Sequence, residues 1–279
     1  MMPTMDVHLF YLAFICYGVS MIVYFLTFWK RTGILASAGN VILLAGFGFQ
    51  LAGLIFRGIT ARFMPITNIY ESLNFFSAAI VLAYLIVEHR FHNRAFGVFI
   101  LPVVFILMAF SSLPTTPKDI VPLIPALQSQ WLVWHVVLSF IGEAAFAVAF
   151  GSGIMYLLRE RAAAGSFAAR TFPDARTLDL VTYRAVAIGF PIFTLGALVF
   201  GAVWAKYAWG DYWTWDPKET WAFLTWGIYL TYIHLACYRP LSRRSAFALM
   251  AGGFAVLLMC WFGLNYLSVG GASVHTYTR

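Results

Sequence analysis

Long apolar runs alternate with short polar segments along the whole chain. A helix rises 1.5 Å per residue, so about 20 consecutive apolar residues form a helix that crosses a bilayer. We therefore predict an all-α, polytopic integral membrane protein with about eight transmembrane helices, forming a single transmembrane domain over residues 1–279. The predicted spans cover residues 7–29, 33–56, 69–88, 95–113, 131–158, 184–205, 217–238 and 245–267.

The charged residues support this prediction and orient the chain. Only 10% of the residues are charged and 62% are hydrophobic, whereas about a quarter of the residues in soluble domains are charged. Most lysines and arginines lie in loops on one side, which the positive-inside rule assigns to the cytoplasm, so both termini are predicted to be extracytoplasmic. These loops explain the net charge of +7, and we expect no nucleic-acid partner. The basic residues on the predicted cytoplasmic side are Lys30, Arg31, Arg90, Arg94, Arg159, Arg161, Arg170, Arg176, Arg184, Arg239, Arg243 and Arg244.

The cysteines and the N-terminus exclude several kinds of chemistry. Cys16, Cys237 and Cys260 lie in apolar runs without a close pair, which is typical of small core residues. The chain has no Cys-x-x-Cys-His motif, so we do not expect it to attach haem covalently to itself. No basic residue precedes the first apolar run, so we expect no cleaved signal peptide.

Four of the ten tryptophans lie in one segment, residues 209–221, which reads WGDYWTWDPKETW. Tryptophan and tyrosine concentrate at membrane–water interfaces, so an aromatic belt beside a helix start is one interpretation. Four indoles among three acids also suit the stacking of a large planar ligand, which is the second interpretation. Asp216 as N-cap, Pro217 at the first helical position and Glu219 three residues after the cap predict a helix start here.

Polar and small residues inside the other spans predict packing and hydrogen bonds. Gly46 and Gly48 predict close helix packing in span two, and Gln50 predicts a hydrogen bond to a neighbouring helix. Glu143 lies inside span five, where an ionisable group is costly and marks function by default. A buried hydrogen-bond partner and a proton carrier are both open interpretations of Glu143.

Three histidines are candidate metal ligands, although each alone is typical of a hydrogen-bonded or solvated residue. His135 lies near the outer end of span five, and His275 follows span eight on the same predicted side. Haem iron accepts two axial imidazoles, so these two histidines could coordinate one iron from opposite faces of the haem. His234 lies about 26 Å along a helix from Pro217, towards the predicted cytoplasmic face. A haem held there would need a second ligand, which we expect from a partner protein.

Two segments resemble those of a known family. The Trp-rich segment resembles the WWD signature of the haem-handling proteins of cytochrome c maturation, and is most similar to that of the CcsA/ResC family, the polytopic half of system II cytochrome c synthases. Residues 65–72 read PITNIYES and resemble the family's NxYES segment. In them, Asn68 followed by Glu71 also predicts a capping box.

The resemblance implies a function. It implies that haem b is held outside the membrane between His135 and His275, that His234 belongs to an inner haem site, and that haem vinyl groups are joined to the Cys-x-x-Cys-His motif of an apocytochrome c. It also implies a separate CcsB/ResB-like membrane partner, and a bacterial plasma membrane rather than a thylakoid membrane. The implied haem-site residues, around an extracytoplasmic WWD loop at 206–221, are His135, His275, His234, Trp209, Tyr212, Trp213, Trp215, Asp216, Asn68, Tyr70 and Glu71.

Two other classes are alternatives. A haem carrier of the CcmC type has a WWD loop without ligation activity, but the eight spans and His234 favour the CcsA family. A cytochrome b-like respiratory subunit holds haem between histidines that face each other within spans. Apart from His8 at the outer start of span one, only His135 and His234 lie in predicted spans here, near opposite faces, so they cannot share one iron.

Overall fold

The computed structural model describes residues 4–30, 33–163, 165–238 and 242–262, and within these ranges the regular structure is entirely helical. The all-α prediction is therefore confirmed. A 3-10 turn at Pro125–Leu127 lies in the Pro-rich loop, and a π-helical segment at Thr194–Phe200 joins α7 to α8. The α-helices are α1 Met5–Lys30, α2 Gly33–Ala61, α3 Ile69–Phe91, α4 Ala95–Ser112, α5 Gln130–Glu160, α6 Phe167–Thr171, α7 Ala175–Phe193, α8 Gly201–Trp209, α9 Pro217–Tyr238 and α10 Arg243–Leu258.

Seven helical stretches of the described chain are long and apolar enough to cross a membrane, which confirms the polytopic prediction. The stretch Ala175–Trp209 runs through α7, the π segment and α8. The other predicted span corresponds to α9, whose 22 residues give a length of about 33 Å. The tryptophans, tyrosines and threonines of α9 lower its mean hydropathy, so α9 is not one of the seven stretches. The side on which the termini lie stays a prediction.

The chain divides into two compact units, and the boundary between them falls within α5. Unit 1 comprises Met1–Pro122 with Ile154–Leu178, and unit 2 comprises Leu123–Gly153 with Asp179–Arg279. The single transmembrane domain stays a prediction, and each unit is described by itself. The WWD segment, which we define as residues 206–221, lies in unit 2, whereas the NxYES segment lies in unit 1.

Glycines at every seventh position of α2 bring α1 and α2 together in unit 1. An added Cβ at Gly39, Gly46 or Gly53 would lie 2.9, 2.8 or 3.3 Å from α1 side chains. The absence of a side chain at these positions lets the two helices approach closely. The packing prediction is therefore confirmed for Gly46, whereas a Cβ at Gly48 would meet nothing within 4 Å.

Gln50 forms the predicted hydrogen bonds between helices. Its Oε1 accepts a hydrogen bond from Tyr17 of α1 at 2.5 Å, and its Nε2 lies 2.8 Å from Asn74 Oδ1 and 2.7 Å from Ser77 Oγ of α3. All four side chains are buried. Since buried polar groups require partners, this network specifies how α1, α2 and α3 pack.

Candidate functional site

The WWD segment begins at the end of α8. Gly210 follows Trp209 with φ +94°, and its N–H donates to the Lys206 carbonyl at 3.1 Å. This left-handed conformation suits glycine, which has no Cβ, and it turns the chain away from the helix axis. The ammonium group of Lys206 donates to the Gly210 carbonyl at 2.6 Å and lies 5.4 Å from the Tyr212 ring centroid. The turn thus places a cation beside an exposed tyrosine.

The WWD segment ends at the start of α9, and the helix start predicted at Asp216 and Pro217 is confirmed. Asp216 Oδ1 accepts a hydrogen bond from the Lys218 backbone N–H at 2.8 Å. Glu219 Oε2 reaches back to the Asp216 N–H at 3.2 Å and to the Thr214 N–H at 2.8 Å. Asp216 is buried. Its carboxylate therefore holds the loop against the helix, whereas direct contact between Asp216 and haem stays a prediction.

The indoles of the WWD segment form an aromatic cluster with side chains of α9. Trp213 and Trp215 meet edge to face with ring centroids 5.6 Å apart, and both contact Phe223 at 6.3 and 6.1 Å. Trp215 is 65% exposed and Tyr212 is 59% exposed. This exposed cluster is compatible both with an interfacial belt and with a platform for a planar ligand.

Trp215 adopts an unusual backbone conformation. Its φ of +58° lies in the left-handed region, which bulky side chains rarely adopt. Its carbonyl accepts a hydrogen bond from Thr220 Oγ1 at 3.2 Å, which helps to hold the conformation. Such strain costs about 1–3 kcal/mol and clusters at functional sites. The exposed Trp215 indole therefore lies at the end of the loop, directly before the Asp216 cap of α9.

The imidazole of His135 is oriented by two contacts. Its Nδ1 lies 2.9 Å from the Gly196 carbonyl oxygen, and its ring stacks on Trp204 with centroids 5.7 Å apart and planes inclined by 12°. A carbonyl only accepts hydrogen bonds, so Nδ1 carries the proton and Nε2 carries the lone pair. Metal-binding histidines are commonly oriented in this way by a backbone carbonyl.

Trp204 connects His135 to the WWD segment. Its Nε1 donates to the Ala126 carbonyl at 2.9 Å, and its ring meets Trp209 edge to face at 5.1 Å. The sequence interpretation missed Trp204 because it lies within an apolar run. A tryptophan at the outer end of a predicted span, five residues before the WWD signature, was the signal that could have identified it.

The π segment positions the carbonyl that orients His135. The Gly196 oxygen accepts from the Gly201 N–H as well as lying at His135 Nδ1. An added Cβ at Gly196 would lie 2.6 Å from the Leu138 backbone carbon, so α5 and the π segment touch backbone to backbone. Short π-helical turns occur frequently at functional sites because they change which carbonyls are available.

Of the two other candidate ligands, only His234 lies within the described residues. His234 is an exposed residue of α9, 17 residues after Pro217, and its ring centroid lies 4.9 Å from that of Tyr238. The described ranges contain no group of three His, Cys, Asp or Glu side chains that could hold a metal ion. His275 lies outside the described residues, so its pairing with His135 stays a prediction.

In unit 1, Asn68 caps α3 as predicted, since its Oδ1 accepts from the Glu71 N–H at 2.9 Å. The reciprocal bond differs from a capping box, because Glu71 Oε2 accepts from the Thr67 N–H at 2.8 Å instead of from Asn68. Glu71 Oε1 lies 2.8 Å from Arg57 Nε. Both carboxylate oxygens of Glu71 therefore have protein partners, and its contact with haem stays a prediction.

Arg57 is the centre of a buried ion-pair network that the sequence interpretation missed. Its Nη1 lies 2.7 Å from Asp6 Oδ2, and its guanidinium carbon lies 5.1 Å from the Tyr70 ring centroid. Arg57, Asp6 and Glu71 are each at most 2% exposed. An arginine immediately after an apolar run is a signal that could have found it, since charges at membrane depth are paired or functional. Tyr70 is also buried, so a haem contact by its side chain likewise stays a prediction.

Comparison with known proteins identifies the family. Residues 66–270 match the family model described as "Cytochrome C assembly protein". The chain belongs to this family. A role in cytochrome c maturation follows from membership, and the WWD segment, His135 and His234 lie within the matched range of this cytochrome c assembly protein.

Curated relatives cover most of the chain. The cytochrome c biogenesis protein CcsA of Heterosigma akashiwo is 33% identical over 274 residues, covering 85% of this chain and 82% of that protein. The CcsA proteins of Prochlorococcus marinus and Microcystis aeruginosa are 35% and 33% identical over 248 and 270 residues, covering 80% and 79% of this chain and 78% and 81% of those proteins.

A solved structure shares the fold of this cytochrome c assembly protein. The cytochrome c haem lyase CcmF superposes with a TM-score of 0.72 at 18% identity, over 94% of this chain. The chain spans 47% of the length of CcmF. At this identity the likeness concerns the fold alone.

Proposed function

We propose that the protein binds haem b as a substrate at the WWD segment and promotes its attachment to an apocytochrome c. The main support is the arrangement of His135, Trp204 and Trp209 in unit 2. In it, an oriented imidazole lies next to the Trp-rich loop. Family membership and the CcsA relatives support the same function.

In this proposal His135 is one axial ligand of the haem iron. The Gly196 carbonyl holds the Nδ1 proton, so Nε2 is the coordinating nitrogen. His275 is the second axial ligand on the same predicted side. His234 holds haem earlier, near the other end of α9, with its second ligand supplied by a CcsB/ResB-like membrane partner.

Four aromatic rings cover the macrocycle by stacking: the indoles of Trp209, Trp213 and Trp215 and the ring of Tyr212. Asp216 holds the loop in place. Aromatic faces bind a flat, polarisable ring well, and the arrangement is preorganised by the capping box at Asp216 and Glu219. We propose that Asn68, Tyr70 and Glu71 also contribute to haem binding. Tyr70 and Glu71 would act indirectly, through the buried Arg57 network.

Lys206 supplies the charge that a haem propionate requires. Its ammonium lies beside Tyr212 and has three donors, one of which is directed to the Gly210 carbonyl. Haem carries two carboxylates on one edge, so a cation at the margin of an aromatic platform favours one orientation of the macrocycle. Charge-assisted hydrogen bonds to carboxylates are stronger than neutral ones.

The reaction needs placement more than a catalytic base. Each cysteine S–H of the apocytochrome adds across one vinyl C=C bond, so that sulfur bonds one carbon, the proton goes to the other, and no group leaves. Holding the vinyl groups beside the thiols converts an encounter of two molecules into a reaction within one complex. The histidine of the Cys-x-x-Cys-His motif would then replace one axial ligand. We propose that this occurs on the outer face of a bacterial plasma membrane.

Co-expression with a CcsB/ResB-like partner and an apocytochrome c tests the function. We expect a haem absorption spectrum in the purified complex and covalent haem on the cytochrome after denaturation. Bound haem without covalent product, in the presence of reductant and partner, would identify a haem carrier of the CcmC type. A protein with no haem under these conditions would contradict the proposal.

A further inference from the structure

The indole of Trp226, on α9, contacts both the π segment and the aromatic cluster at the WWD segment. Its Nε1 donates a hydrogen bond to Thr194 Oγ1 at 3.0 Å, and Thr194 is the first residue of the π segment. Its ring stacks on Phe223 with centroids 5.6 Å apart and planes inclined by 18°. Phe223 is the side chain that both Trp213 and Trp215 contact. Trp226 therefore links two parts of the candidate site within unit 2.

Thr194 lies where the α-helix ends and the π segment begins. Its hydroxyl donates to the Phe190 carbonyl, one turn earlier, at 2.7 Å. A hydroxyl that bonds the carbonyl four residues back competes with the backbone N–H for that acceptor, and such bonds often bend a helix. Pro191 lies inside α7 just before this point and has no N–H to donate. Regular α-helical bonding is thus already weakened here, so contacts from outside the helix decide which conformation the segment adopts.

Trp226 provides such a contact. A hydroxyl has one donor and also accepts, so Thr194 can donate to the Phe190 carbonyl and accept from the indole at the same time. The indole N–H only donates, so the direction of its hydrogen bond is fixed. The Trp226 ring also stacks on Phe190, with centroids 5.8 Å apart and planes inclined by 26°. The ring and its N–H together hold the start of the π segment against α9.

The π segment carries this effect to His135. Gly196 lies two residues after Thr194, and its carbonyl oxygen lies 2.9 Å from His135 Nδ1. Close-packed backbones transmit small displacements, so a shift of Thr194 also moves the Gly196 carbonyl. We infer that Trp226 is a positioning residue of the haem site, whose hydrogen bond to Thr194 holds the π segment so that the Gly196 carbonyl orients His135. The inference rests on the proposed function in that His135 binds haem.

Two substitutions remove the hydrogen bond from either side. Trp226→Phe removes the indole N–H and keeps an aromatic ring, and Thr194→Val removes the hydroxyl and keeps the shape. Hydrogen–deuterium exchange at residues 194–201 is measured on the purified full chain without haem, followed by the absorption spectrum of bound haem. We expect exchange about two- to tenfold faster in each variant, the effect of losing one hydrogen bond. The spectrum should shift while haem stays bound, because the axial imidazole is less well oriented.

Matched controls lie in the same unit. Thr194→Ser keeps the hydroxyl and should behave like the unmodified protein. Thr231→Val removes a hydroxyl of α9 that also bonds the carbonyl four residues back, at 2.8 Å. Trp221→Phe makes the same change as Trp226→Phe, five residues earlier on α9. Neither α9 control should alter exchange in the π segment. The double variant of Trp226→Phe with Thr194→Val should match Thr194→Val alone, because both changes remove the same bond.

Three outcomes would overturn the inference. They are unchanged exchange in Trp226→Phe, faster exchange with an unchanged haem spectrum, and additive effects in the double variant. A protein that binds no haem even when unmodified would contradict the proposed function, and the exchange rates would then decide the inference alone. Thermal unfolding of each variant checks its fold. If Thr194→Val does not fold, Trp226→Phe and its Trp221→Phe control still decide.

Discussion

The indole Nε1 of Trp261 donates a hydrogen bond to Glu143 Oε2 at 3.0 Å, which joins α5 to the last described turn after α10. Glu143 is buried, Phe140 stacks on the Trp261 ring at 5.0 Å, and the Lys218 ammonium lies 5.8 Å from that ring's centroid. Of the two interpretations that the sequence left open, this geometry favours the hydrogen-bond partner.

Replacing Glu143 separates its hydrogen bond from its charge. Glu143→Gln keeps a carbonyl acceptor for Trp261, so we expect stability and haem content close to those of the unmodified protein. Glu143→Leu leaves the part-buried indole N–H of Trp261 without that acceptor and should destabilise unit 2 by about 1–3 kcal/mol. Thermal unfolding in detergent measures the difference. Loss of cytochrome assembly in a stable Glu143→Gln protein would instead indicate a proton carrier.

Replacing Trp213 and Trp215 by alanine should lower haem affinity about tenfold or more, because each ring contact contributes about 0.5–1.5 kcal/mol. Membrane insertion should be unchanged. The matched control is Trp134→Ala, since Trp134 is a 53% exposed tryptophan of α5 outside the aromatic cluster. Haem titration followed by absorbance is the measurement. Equal haem affinity in all three proteins would favour the aromatic belt.

Gly196→Ala should disturb His135 without touching it directly. The added methyl group would collide with the α5 backbone near Leu138 and displace the carbonyl that holds Nδ1, at a cost of about 1–3 kcal/mol. The spectrum of bound haem should change. Gly227→Ala is the control, because a Cβ at Gly227 of α9 would meet nothing within 4 Å. An unchanged haem spectrum in Gly196→Ala would remove the orienting role of this carbonyl.

Lys206→Gln should weaken binding of haem but not of haem dimethyl ester, in which the propionate charges are removed. The loss for haem should be about tenfold, the effect of one charge-assisted hydrogen bond. Lys218→Gln is the control within the same segment, because the Lys218 ammonium lies over Trp261. An effect on haem and its ester alike would assign Lys206 to the structure of the turn.

The histidines should separate into two sites. His135→Gly and His275→Gly leave one axial position vacant, so added imidazole should partly restore the haem spectrum and cytochrome assembly. His234→Gly should instead lower the amount of haem that reaches the outer site when the partner is co-expressed. Normal haem occupancy in His234→Gly would show that His234 has no role in haem transfer and only packs on Tyr238.

The local features of the fold could be predicted from the sequence, because their causes are local. The apolar runs predicted the helices, and the spacing of Asp216 and Glu219 predicted the N-terminal cap of α9. The Arg57–Asp6 ion pair and the Trp204–His135 stack join residues 51 and 69 positions apart, and no periodicity encodes such contacts. The family resemblance identified the histidines and the WWD segment, but it could not indicate that Tyr70 and Glu71 are buried.

The π segment at Thr194–Phe200 determines how α8 is rotated about the helix axis relative to α7. A π turn accommodates one residue more than an α turn, and one residue corresponds to about 100° of rotation around a helix. If residues 194–200 relaxed to a continuous α-helix with none of them removed, all of α8 would rotate by about 100°. Trp204 would then leave the face that meets His135, and Trp209 would enter the loop from another side. The one extra residue in the π segment therefore fixes the rotation at which Trp204 faces His135 and Trp209 enters the loop.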